Sequence, residues 1–120
     1  MKKSTHLTSQ IRMTYVPCSN LEEAKQLANG LITRKLAACV NIIPEVISVY
    51  EWEGKVHNDA ETVMLIKSTV ERSTAINNFI TENHNYDEPA VVSLVVDENT
   101  SSTNFMQWVK EQTILMKPKI

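Results

Sequence analysis

Residues 35–55, KLAACVNIIPEVISVYEWEGK, constrain the fold of this chain more than any other stretch. Val46, Ile47 and Val49 belong to a Val- and Ile-rich run that suits a pleated strand better than a helix. The run predicts a strand from Ala38 to Trp52. Pro44 interrupts it and must bend it, because proline donates nothing to a ladder. Glu53-Gly54 then supplies a two-residue turn whose glycine accepts a left-handed backbone, so a hairpin back into Thr62–Thr69 (TVMLIKST) is the economical connection. Tyr50 and Trp52 sit at the end of the first arm. A tryptophan there is costly to leave in water, so the rest of the fold or another copy of it must cover the ring.

The remaining elements follow from periodicity. Ile11–Val16 reads as a first strand. Ser19 with Glu22, or Asn20 with Glu23, forms a capping box. Ala24, Leu27, Ala28, Leu31 and Ile32 then recur at helical spacing through Lys35. Gly30 inside that helix costs about 1 kcal/mol against alanine, which is tolerable where a helix passes close to a sheet. A second helix from Glu71 to Asn83 buries Ala75, Ile76, Phe79 and Ile80. Ala90–Val96 is a nearly continuous apolar run, the pattern of a strand buried on both faces. DENTSSTN is a polar loop, and Phe105, Met106 and Val109 mark a last helix from Ser102 to Gln112. The order strand, helix, strand, strand, helix, strand predicts an α+β, ferredoxin-like βαββαβ sandwich. It has one four-stranded antiparallel sheet, two helices on one face and an additional C-terminal helix. The third helix covers part of the open face and another subunit the rest.

At 120 residues the chain is one domain, read as residues 10–120 after a polar leader, residues 1–9, that carries His6. The leader lacks the apolar core of a secretory signal, and no apolar run approaches the ~18 residues of a membrane span. A net charge of −2 and the absence of a Lys/Arg block argue against a nucleic-acid partner. Cys18 and Cys39 lack C-x-x-C spacing and read as reduced thiols of a cytoplasmic protein. Cys39 fits a small buried hydrophobe. Cys18, just before a helix start, is expected to have its pKa lowered by the helix dipole and to be reactive.

Catalytic signatures are missing. There is no G-x-S-x-G, no H-E-x-x-H and no glycine-rich phosphate loop, so the chain does not read as an enzyme. His57 reads as an exposed hairpin residue. His84, beside Tyr86, either caps the second helix with its ring or ligates a metal. A thiol and an imidazole together favour copper or zinc over magnesium, and two such donors hold an ion only weakly. Lys67, Glu61 and Glu53 read as strand-face or interface salt-bridge partners.

The chain resembles the CutA family of divalent-cation tolerance proteins from about Ile11 to Trp108. The residues that carry the resemblance are LAAC (Leu36–Cys39), Asn41, Ile43-Pro44 and YEWEGK (Tyr50–Lys55). Glu61, Lys67-Ser68-Thr69 and His84-x-Tyr86 with Pro89 extend it. The resemblance implies a tight homotrimer with strands pairing across subunits, tolerance of divalent metals such as copper, and a PII-like architecture. It places a ligand cleft between subunits around Trp52, Lys67, Tyr86 and His84, and weak metal binding at Cys18 and His84. Asn85 stands where the family usually has proline, Ala90 where it has an acid, and Val16 where some members offer a thiol. Two functions are expected from this: a trimeric metal-tolerance protein, or a metal-free PII-like module whose clefts between subunits receive a small ligand, expected to be an anion, or a segment of a protein partner.

Overall fold

The computed structural model describes residues 9–114; residues 1–8, most of the expected leader with His6, lie outside the description. The elements are β1 (Ile11–Cys18), α1 (Leu21–Thr33), β2 (Cys39–Trp52), β3 (Lys55–Thr69), α2 (Ser73–Asn83), β4 (Val92–Val95) and α3 (Thr103–Gln112). Short 3₁₀ turns at Val70–Arg72 and Glu98–Thr100 precede α2 and α3. The strands form one antiparallel sheet in the order β2-β3-β1-β4. This is the α+β arrangement expected from the element order.

Alternation along the strands assigns the two faces. Val16, Cys18, Met64 and Ile66 pack with Ala24, Leu27, Leu31, Ile76 and Ile80 in the core beneath α1 and α2. The neighbouring residues Ile11, Met13 and Lys67 point the other way, toward Phe105, Met106 and Val109 of α3. The helices therefore sandwich the sheet unequally, and α3 leaves Ile43 and Leu94 exposed.

Several boundaries differ from expectation for local reasons. β1 runs on through Pro17 to Cys18. Its pairing with β4 stops at Tyr15, so on that side no ladder partner meets the proline nitrogen. α1 ends at Thr33, and Lys35 turns the chain with φ 60. β2 slips register between Ile43 and Val46, where Pro44 and Glu45 (φ 59) make the expected bend. Glu53 (φ 51) and Gly54 (φ 80) both take the left-handed conformation of a tight hairpin turn, which lets β3 begin at Lys55. In the Lys67-Ser68-Thr69 segment the buried Ser68 hydroxyl donates to the Leu36 carbonyl at 2.5 Å, fastening the α1–β2 connection to β3.

Two expectations are overturned. Residues 90–96 do not form a strand buried on both faces: β4 is a four-residue edge strand, exposed throughout, because the sheet order places it outermost. Gly30 does not face the sheet. A Cβ there would stand 2.4 Å from Phe79 Cζ, so the glycine makes room for α2, and the Arg34 guanidinium covers the same ring at 4.7 Å.

Candidate functional site

Where β1 ends and α1 begins, the backbone sets several polar groups against the end of α2. Asn20 is the N-cap of α1, accepting from the Glu23 N–H at 2.8 Å. The Glu23 carboxylate turns back to accept from the Ser19 N–H (2.8 Å) and the Ser19 hydroxyl (2.9 Å), and from the Asn85 N–H. It is buried, so these donors and the helix N-terminus replace its water. Asn85 also donates through Nδ2 to the Ser19 hydroxyl at 2.9 Å. Asn85 therefore contributes a backbone N–H where the family's usual proline has none to give.

His84 follows α2 directly, but its ring does not cap the helix. Nε2 donates to the Pro17 carbonyl at 2.8 Å, and Nδ1 accepts the Tyr86 N–H at 3.0 Å. These partners fix the neutral tautomer with hydrogen on Nε2. Nδ1 also lies 3.4 Å from Glu23 Oε2. Cys18, fully buried, completes the group: donor atoms of Cys18, Glu23 and His84 lie within 4.8 Å of one another.

The expected activation of Cys18 is overturned. Burial pushes its thiol up to about 12, and the carboxylates of Glu23 and Glu61 add to the effect. The α1 dipole is outweighed because Glu23 already occupies that helix end. Among the described residues the Cys18 thiol makes one long hydrogen bond, Sγ to the Val16 carbonyl at 3.9 Å.

A second polar region lies along the hairpin arm. The Tyr86 hydroxyl donates to Glu61 Oε2 at 2.7 Å, and Ser48 donates to Glu61 Oε1 at 2.5 Å. The Tyr50 hydroxyl donates to Asp59. Trp52, Tyr50, Tyr86, Ser48, Asp59, Glu61 and Glu88 line one cleft of about 550 Å³. Burial and the Glu61 hydrogen bond raise the Tyr86 pKa, and the Asp59 hydrogen bond raises that of Tyr50.

The residues singled out in the sequence are thus distributed over three places. Cys18 and His84 meet. Trp52 and Tyr86 share the arm cleft. Lys67 joins neither group: its ammonium sits over the Phe105 ring at 5.2 Å, on the α3 side of the sheet. Cys39, half-buried, is paired in register with Lys67 rather than near His84. His57 is half-buried and stacks on Tyr50 at 5.3 Å, not simply exposed. Lys67, Glu61 and Glu53 form no ion pair among the described residues. Glu23, read only as a capping residue, was missed as a member of the cluster. Its signal was present, because Glu23, Leu27 and Leu31 fall at intervals of four on the buried stripe of α1, where an acid needs partners.

Comparison with known proteins decides the family. The family described as CutA1 divalent ion tolerance protein matches residues 12–112. The chain belongs to the CutA1 family. It is 39% identical over 113 residues to the chloroplastic Protein CutA of Arabidopsis thaliana, an alignment covering 94% of this chain and 60% of that one. With the divalent-cation tolerance protein CutA of Thermus thermophilus it shares 34% over 92 residues, 77% of this chain and 87% of that one. The crystal structure of CutA1 from Oryza sativa superposes with a TM-score of 0.84 at 39% identity, covering 90% and 97% of the two chains. The chain therefore has the CutA1 fold. The Thermus thermophilus relative is named for divalent-cation tolerance, and neither it nor the Arabidopsis relative is named for a reaction. No helix among the described residues is long and apolar enough to cross a membrane.

Proposed function

We propose that this protein acts as a homotrimer in the tolerance of divalent metal ions, holding copper or a related ion weakly, in the cytoplasm and without catalysing a reaction. The observation that carries the metal reading is the convergence of Cys18, Glu23 and His84 donor atoms within 4.8 Å. Thiolate, carboxylate and imidazole are a fitting donor set for copper or zinc. The fit has a cost. The thiol must lose a proton, and His84 and Glu23 must exchange hydrogen bonds they already make. Weak binding follows. Co(II) is a suitable probe: a thiolate-to-metal charge-transfer absorption in wild type that is lost in Cys18→Ser supports the site. An unchanged band in the variant overturns it.

Support for the trimer comes from apolar surface with no cover in one subunit. Trp52 is 63% exposed, and Ile47, Val49 and Val56 on the same hairpin arm are exposed as well. A second copy pairing along β2 would bury this arm, and aromatic anchors of that kind cost about 2 kcal/mol or more when truncated. Sedimentation should give a species near three times the 13.6 kDa chain, loosened by Trp52→Ala. A monomer at micromolar concentration contradicts it.

The arm cleft supports a second reading, a PII-like module that takes a small ligand or a protein partner between subunits without metal. Its 550 Å³ lies within the usual range for small-molecule sites. Lys67 would belong to such a cleft only if another copy supplied it.

A further inference from the structure

We propose that the cleft along the hairpin arm binds a small organic cation, an alkylated ammonium, between the rings of Trp52, Tyr50 and Tyr86 and the carboxylates of Glu61, Asp59 and Glu88. This rests on the second reading above and specifies the ligand's chemistry. Three aromatic rings and three carboxylates line the same 550 Å³ space. Ring faces attract cations through their quadrupole, and the attraction grows as the cation sheds water. Strongly hydrated magnesium or calcium gains little from such walls, because it gives up its own waters reluctantly or requires oxygen ligands all round. An alkylated ammonium is weakly hydrated and presents methyl or methylene groups to the rings.

The charge of the cleft has no counterweight among the described residues. Among the described residues Lys110 pairs with Glu98 and the neutral His84 ring lies beside Glu23, both away from the cleft, and no cation stands within salt-bridge distance of Asp59, Glu61 or Glu88. The phenols bonded to Glu61 and Asp59 hold those carboxylates in place without neutralising them. Both phenols have raised pKa values, as expected beside negative charge. The walls also have independent anchorage. Tyr86 follows His84, which is tied to Pro17, while Tyr50 is stacked on His57.

Trp52 is an internal reporter once Trp108 is replaced by Phe, since the chain has two tryptophans. Choline is the probe, its uncharged isostere 3,3-dimethyl-1-butanol the control, and citrate the anionic counter-probe. The expected result is saturable quenching of Trp52 by choline, weakened about tenfold or more by Glu61→Gln and by the neutral isostere. Glu88→Gln, on the rim, should weaken it less, and sedimentation of each variant shows whether assembly is intact. Equal binding of choline and its isostere overturns the cation proposal. Quenching by citrate but not choline also overturns it while leaving a ligand-binding cleft in place. No response to any probe in an intact assembly removes both.

Discussion

His84 donates from Nε2 to the carbonyl of Pro17 at 2.8 Å, joining the end of α2 to the end of β1 across 67 positions of sequence. That bond places the imidazole beside Cys18 and Glu23. It also occupies the nitrogen that carries hydrogen, while the Tyr86 N–H occupies the other. The cluster is consequently a set of metal donors already engaged with one another and with the backbone, and its properties follow from that.

Cys18 should be the less reactive thiol. Its pKa is pushed up to about 12, while Cys39 is half-buried on the other face of the sheet. With a disulfide reagent at pH 8, one thiol should react quickly and Cys18 only when the protein opens. The same shift makes folding pH-dependent. The unfolded thiol ionises above 9.0 and the folded one does not until about 12, so the stability it contributes is complete below pH 9 and falls as pH rises through that window. Cys18→Ala should flatten the alkaline limb of a stability-versus-pH curve.

Asn85→Pro restores the family's usual residue but removes an N–H donated to buried Glu23. His84 already has an extended backbone (ψ 149), so a following proline is sterically acceptable. Loss of a hydrogen bond to a charged group costs about 2 kcal/mol, and proline returns about half of that by restricting the unfolded chain. A net loss near 1 kcal/mol is expected in urea denaturation at fixed protein concentration. Asn85→Ala, which keeps the N–H, should cost less.

Glu98 fastens β1 to α3. It accepts from the Ile11 N–H at 2.9 Å and pairs with Lys110 at 2.9 Å. Burial opposes its charge, but those two partners and Arg12 outweigh burial and hold its pKa below 4.5. A depressed carboxyl contributes stability above its unfolded pKa and loses it as pH falls through the folded value, so this contribution declines below pH 4.5. Glu98→Gln should cost about 1 kcal/mol at neutral pH and progressively less in acid.

Gly30→Ala would gain about 1 kcal/mol of helix propensity in isolation. Here the new methyl meets the Phe79 ring at 2.4 Å, and the displaced ring loses its place under Arg34. Overpacking of this kind costs about 1–3 kcal/mol, so a net destabilisation near 1 kcal/mol is expected in thermal or urea unfolding.

What the sequence made legible, and what it hid, divides along the range of the interactions. The hairpin at Glu53-Gly54, the bend at Pro44 and the cap at Asn20 depend on neighbouring residues, and the structure has all three. β4 was misread because an apolar run looks the same at the centre of a sheet and at an edge awaiting cover. Gly30 faces a ring contributed 49 positions later, which no local pattern contains. At the site, His84 and Cys18 were recognisable by type. Their setting was not, because the high thiol pKa depends on burial and on Glu23 and Glu61, which only the folded chain brings near. Within one subunit strand alternation directs Lys67 to Phe105, so a cleft shared with Trp52 and Tyr86 needs Lys67 from another copy.

The most direct test of the metal reading is calorimetric titration of the protein with Zn(II) and Cu(II), in wild type, Cys18→Ser and His84→Ala. Binding should be weak at neutral pH, strengthen as pH rises because the Cys18 proton must leave, and be lost in both variants. Submicromolar binding that survives both substitutions would place the metal elsewhere, and no binding in wild type at any pH would contradict the account.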